Sequence, residues 1–140
     1  MDPTDESCIS MISHCSLIVA DQEEALRFYT ETLGFVKTED VPMGEDRWLT
    51  VAPPGEYQTQ LILRSPDWFG GIDQERYSEL IGHNPMLGLE VSDCKGIYQT
   101  LLDRGVHFTT EPEESDRGIE AIFVDSEGNE ILLFEEAAAE

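Results

Sequence analysis

Three side chains in this 140-residue chain carry the groups from which a reactive or binding site would be made: His14, Arg64 and Glu90. His14 opens the apolar run of "ISHCSLIVAD". An imidazole there can ligate a metal, move a proton, contact a substrate, or simply satisfy a strand through hydrogen bonds. Glu90 interrupts "LGLEVSD", and a buried carboxylate without a partner is costly. It therefore pairs with Arg64 or His14, lies at a solvated rim, or has a raised pKa suited to base work. Arg64 closes "QLILR" and is one of few bases, so it either holds an anion or is an edge-strand surface residue. Cys15 follows His14 directly. Successive strand residues point to opposite faces, so the two do not make a nucleophilic pair, and Cys15 is expected among apolar neighbours.

The elements that must position these groups emerge when the chain is compared with itself. "LIVADQEEALRFYTETLGFVKTED" from Leu17 and "LEVSDCKGIYQTLLDRGVHFTTEP" from Leu89 both read as strand, Asp, amphipathic helix, Gly, strand. Asp21 and Asp93 lie 72 residues apart, and Gly34 and Gly105 lie 71 apart. Either Asp can accept from the free amides of a helix start, and either Gly can adopt the left-handed conformation that ends one. Ala25, Phe28, Tyr29 and Leu33 make an inward stripe in the first helix; Ile97, Tyr98, Leu101 and Leu102 do so in the second. "RWLTVAPPGEYQTQLILR" and "IEAIFVDSEGNEILLFE" are each strand, turn, strand. Each half is thus βαβββ, and the fold class is α+β. The expected layout is a disordered acidic tail over 1–10 and a single domain over 11–136. That domain comprises a first repeat (11–64), a linker (65–85) and a second repeat (86–136). In the linker, "IDQERYSELIG" suits a short helix. Trp68 and Phe69, beside Gly70 and Gly71, pack on a sheet edge, meet a dimer partner, or cover a cavity.

Charge narrows the partners. Thirty acids face eight bases, for a net charge of −22. Such a surface repels phosphates and anionic lipid, so nucleic acid and membrane partners are not expected. No apolar run is long enough to span a bilayer, and "MDPTDESC" is too acidic for a secretory leader. Cys8, Cys15 and Cys94, odd in number and far apart, suit free thiols in a reducing cytoplasm. The lysine-poor acidity resembles proteins that work in concentrated salt, where the screening length falls to about 3 Å.

Two βαβββ repeats, carried by "HCSLIVADQEEALRFYTETLGF" and the terminal "GNEILLFE", resemble the vicinal oxygen chelate superfamily of glyoxalase I, bleomycin-resistance proteins and extradiol dioxygenases. The resemblance covers residues 10 to 136. It implies curled, partly barrel-like sheets around a cavity, and a homodimer. In metal-using members the first and last strands of each repeat supply the ligands. Those positions map here to His14, Gln60, Met86 and Leu132. One imidazole, one amide, a thioether and a hydrocarbon are not a site for Zn, Ni, Mn or Fe, which want imidazole and carboxylate. No metal is therefore expected; His14 and Gln60 are the residual candidates. By strand alternation the cavity face would hold His14, Ser16, Gln60, Ile62, Arg64, Met86, Glu90, Leu132 and Phe134, an apolar surface with a few polar groups. The resemblance thus implies a glyoxalase-, bleomycin-resistance- or dioxygenase-like protein that binds a small hydrophobic or aromatic molecule without a metal. Two alternatives stand beside it. One is a metal-dependent lyase, isomerase or dioxygenase with an atypical ligand set. The other is a cofactor-free enzyme using Glu90 or His14 as acid or base.

Overall fold

A computed structural model describes residues 9–55 and 58–138. Cys8 and most of the expected acidic tail lie outside the described residues. The apolar strand His14–Ile18 (β1) leads to Asp21, whose carboxylate accepts the Glu24 amide at 3.0 Å and starts α1, Gln22–Arg27. The helix then widens into a π-helical turn, Phe28–Thr32, in which the Leu33 amide reaches back to the Phe28 carbonyl at 3.1 Å. Gly34, at φ 84°, reverses the chain into a hairpin of β2 (Val36–Met43) and β3 (Asp46–Ala52). β4 (Gln60–Arg64) returns beside β1. The second repeat follows the same plan. β5 is Leu87–Glu90, Asp93 caps α3 (Cys94–Asp103) by accepting the Gly96 amide, and β6 (Phe108–Ser115), β7 (Gly118–Val124) and β8 (Glu130–Glu136) complete it. The linker holds a short 3₁₀ turn, Pro66–Trp68, and the expected helix, α2, over Gly71–Ser78.

Each repeat forms its own open four-stranded sheet, ordered β1-β4-β3-β2 and β5-β8-β7-β6. Within each, the first and last strands run parallel. One face of each sheet packs on the helices. Leu17, Leu61 and Leu63 from the first and Ala121, Phe123, Ile131 and Leu133 from the second share a single buried cluster with Ala25, Tyr29 and Leu101. The opposite faces carry the candidate site residues.

A buried polar cluster joins the repeats beside this shared apolar core. Asn84, at the end of the linker, donates to the Ile18 and Leu80 carbonyls, each at 2.9 Å, and accepts the Ile18 amide at 3.0 Å. Asn129, in the β7–β8 turn, accepts from both the backbone and the side chain of Asn84. Asp125 accepts the Asn129 side chain at 3.0 Å and the Tyr29 hydroxyl at 2.8 Å. Burial first, and then the Asp125 carboxylate, push the Tyr29 phenol far above its ordinary pKa, so it is a permanent donor. The Glu127 carboxylate receives the Ala20 and Asp21 amides. A turn of the second repeat is thus fastened to the first strand and helix of the first repeat.

Two expectations change. In α3 the inward line is Cys94, Tyr98 and Leu101, at i, i+4, i+7, while Ile97 and Leu102 are 36% and 37% exposed. Helix pitch admits either stripe, and the edge contact of Tyr98 with Phe108 of β6 belongs to the one containing Cys94. Cys15 is exposed rather than set among apolar neighbours. It lies in the open half of an edge strand, where burial begins only at Leu17.

Candidate functional site

The parallel pairing of β1 and β4 sets His14 opposite Gln60, Ser16 opposite Ile62 and Ile18 opposite Arg64, all on the face turned away from the helices. β3 adds Thr50 beside Ile62, and alternation then places Trp48 beside Arg64. On this face Ile18, Ile62 and Thr50 are buried; Gln60, Arg64 and Trp48 are half-buried; His14 and Ser16 are exposed. The Thr38 hydroxyl lies 2.6 Å from that of Thr50 and donates to Gln60 Oε1 at 2.8 Å. A shallow groove of about 320 Å³, lined by Met11, Ser13, Val36, Thr38, Ala52 and Gln60, opens at that end.

The other end is aromatic. The Arg64 guanidinium carbon lies 5.6 Å from the Trp48 ring centre, 5.4 Å from that of Trp68 and 5.8 Å from that of Phe69. Trp48 also lies 6.3 Å from Trp68 and 6.1 Å from the His14 imidazole. Phe69 stacks on Tyr77 of α2 at 3.8 Å. The Ser65 hydroxyl accepts the Asp67 amide and Pro66 is buried, so the 3₁₀ turn holds Trp68 over the sheet. Trp68 and Phe69 lie beside Arg64 at the end of the sheet face. Arg64 is neither a bare surface residue nor ion-paired among the described residues.

The second sheet presents Gly88 opposite Leu132 and Glu90 opposite Phe134, with Ile122 and Glu120 following on β7. Met86 stands just before β5 and is 47% exposed. Glu90 is exposed and has no ion pair among the described residues, the outcome expected of a rim residue. The nine expected face residues therefore divide. His14, Ser16, Gln60, Ile62 and Arg64 are gathered on one sheet, and Met86, Glu90, Leu132 and Phe134 belong to the other. His14 and Glu90 are not neighbours in one ladder.

The ladders also redraw the metal positions. The Val19 amide bonds to the Arg64 carbonyl as the Val91 amide bonds to the Phe134 carbonyl. Arg64 is thus the structural counterpart of Phe134, and Ile62, not Gln60, is the counterpart of Leu132. The constant step of 72 residues carries first strand to first strand, but the last strands are two residues out of that step. The resulting set of His14, Ile62, Met86 and Leu132 offers one imidazole, one thioether and two hydrocarbons. If Gln60 is kept, its oxygen already accepts from Thr38. Neither set fits a divalent metal by the chemistry of its donors.

The sequence reading missed Trp48, Thr38 and Thr50. The signal was present: once β3 and β4 are read as a hairpin, alternation from Thr50 puts Trp48 on the face of Arg64. Cys94 is removed from reactivity, since burial first, and then Glu135 and Asp93, push its thiol pKa up. No helix is long and apolar enough to cross a membrane among the described residues.

Comparison with known proteins bears on this arrangement. The model of the Glyoxalase/Bleomycin resistance protein/Dioxygenase superfamily matches residues 11–133. The uncharacterized protein YurT of Bacillus subtilis (strain 168) is 37% identical over 118 residues, covering 84% of this chain and 93% of YurT. Among solved structures, UcmS2 superposes with a TM-score of 0.80 at 34% identity, covering 90% of this chain and 98% of UcmS2. TnmS3, an antibiotic binding protein from Streptomyces sp. CB03234, gives 0.76 at 32% identity, with 92% of this chain and 98% of TnmS3 covered. With its two βαβββ repeats and a family match over nearly its whole length, the chain belongs to the Glyoxalase/Bleomycin resistance protein/Dioxygenase superfamily.

Proposed function

We propose that this protein binds a small, flat, aromatic or hydrophobic molecule on the open face of its first sheet, without a metal. The observation that carries the reading is the row of half-buried rings, Trp48, Trp68 and Phe69, lying beside His14 over the buried Ile18 and Ile62. Aromatic rings offer large contact area for little conformational entropy, and they favour offset or edge contacts with a flat guest. The likeness to TnmS3, an antibiotic binding protein, supports binding over turnover. The reading includes a homodimer, in which Ile12, Met43 and Met86, 73%, 49% and 47% exposed, are covered and the open faces are closed. It also includes a cytoplasmic setting and a surface adapted to concentrated salt.

Both tryptophans of the chain lie on this face. Intrinsic fluorescence therefore reports directly on it. Titration with naphthalene carboxamide should quench the emission saturably, and Trp48→Leu should weaken binding about tenfold, the loss of one buried aromatic contact. Absence of saturable quenching by this amide and by the matching naphthalene carboxylate alike overturns the reading. So does purified protein carrying one equivalent of metal per chain that is lost in His14→Ala.

A further inference from the structure

Arg64 has no partner that matches its chemistry. Of the eight cations, Lys37, Arg47, Arg76 and Lys95 are ion-paired, and Arg104 donates to the Thr32 carbonyl. Arg27 and Arg117 are exposed to water. Arg47 and Arg64 are the half-buried ones, but Arg47 is ion-paired, whereas Arg64 Nε is fully buried with no hydrogen-bond acceptor among the described residues. Three ring faces surround the guanidinium. They attract the cation through their quadrupoles, but they do not supply the in-plane oxygen acceptors that its fork of N–H donors is shaped for. Glu39, on β2, accepts the Trp48 indole N–H at 3.3 Å and so holds that ring rather than Arg64. In a chain of net charge −22, a carboxylate on any neighbouring strand would have relieved this residue. None does among the described residues.

We infer that the ligand of this face is an aromatic acid. Its anionic group, a carboxylate or a group of like geometry, is held by the Arg64 guanidinium, and its ring lies along Trp48 toward His14. This rests on the reading of the first sheet as a small-molecule site and names the class of molecule it selects. The rings fix the guanidinium plane in advance, so a carboxylate meets a preorganised fork. Arg64 is half-buried, and partial exclusion of water strengthens the pairing. The order along the face is consistent: anion holder at Arg64, flat apolar floor over Ile62, and the hydrogen-bonding pair Thr38 and Gln60 at the far end.

The test compares naphthalene carboxylate with its neutral isostere naphthalene carboxamide, by tryptophan fluorescence and calorimetry at constant ionic strength in KCl. The parent should prefer the carboxylate by about 10- to 100-fold, the range of a charge-assisted hydrogen-bond pair. Arg64→Gln should bring the preference ratio near one, and Arg64→Lys should leave an intermediate ratio. Arg117→Gln, an equal change of net charge on the second repeat, should keep the parental preference. Circular dichroism of each variant establishes that it is folded. If the parent binds both compounds equally, the inference is overturned while the site reading stands. Equal weakening of both compounds in Arg64→Gln also overturns it, since Arg64 then acts only as packing. If neither compound binds, both the inference and the site reading fall.

Discussion

Truncating Asn84 should loosen the two repeats from each other. The two Nδ2 hydrogens are shared among three acceptors, on Ile18, Leu80 and Asn129, Oδ1 accepts the Ile18 amide, and the residue is only 8% exposed. Asn84→Ala strands the N–H and C=O of Ile18 in a buried place, at about 1–3 kcal/mol for each unsatisfied group. A water entering the polar void recovers part of this. The net cost is then about 3 kcal/mol, which for a domain of this size lowers Tm by about 10 °C. Asn84→Asp sharpens the case, because it turns a carboxylate oxygen toward the Ile18 and Leu80 carbonyls and Asn129 Oδ1. At neutral pH it should cost more than Ala. The folded-state pKa of the introduced acid is raised, so this extra cost is present above that pKa. It disappears as pH falls through the folded value toward the unfolded one near 4. Urea unfolding of parent, Asn84→Ala and Asn84→Asp across the acidic range measures all three. A loss below about 1 kcal/mol for Ala, or an Asp variant as stable as the parent at neutral pH, would refute the assignment of this cluster as the joint between repeats.

Other outcomes follow from local geometry. Gly118→Ala should destabilise severely, because a Cβ there, at φ 144°, would strike the Glu135 carbonyl oxygen; Gly105→Ala, at φ 85° in open space, should cost only about 1 kcal/mol. Urea midpoints of the two variants compare them, and equal losses would show that the backbone contact is not felt. Asp40 is held well below the usual carboxylate range by hydrogen bonds from Arg47, at 2.8 Å to each oxygen, and then from Lys37. The ion pair therefore contributes stability above pH about 4 and loses it as pH falls, so the stability gap between parent and Arg47→Gln should narrow in acid. Thermal unfolding in rising KCl should shift to higher temperature as screening shortens, whereas a flat response would count against a salt-adapted surface.

Local rules reached as far as the repeat. Asp21 and Asp93 cap helices and Gly34 and Gly105 end them because each choice is decided within a few residues. Alternation likewise placed His14, Gln60 and Arg64 on one face, since a strand has only two. Three things lay beyond such rules. The stripe of α3 is decided by what the helix packs against, which periodicity does not contain. The two-residue offset between the last strands depends on which carbonyl each parallel strand meets, and equal spacing along the chain does not reveal it. The Asn84–Asn129–Asp125–Tyr29 cluster joins residues whose separate signatures are those of a linker, a turn and a core aromatic. Polar contacts of that reach have no period. Trp68 was flagged, but its role emerged only with Arg64 and Trp48 beside it.

The same cluster orders events in time. The Ile18 backbone finds its side-chain partner 66 residues later, and the Ala20 amide finds Glu127 only after a further stretch, 107 residues on. During synthesis the first sheet can pair its four strands before the second repeat exists, since all four lie within His14–Arg64. The Ala20 and Asp21 amides must nevertheless wait for the second repeat to leave the ribosome before Glu127 can receive them. Closing contacts of such sequence separation is slow relative to local pairing. Until that final turn arrives, the Ala20 and Asp21 amides lack the carboxylate that receives them in the finished fold.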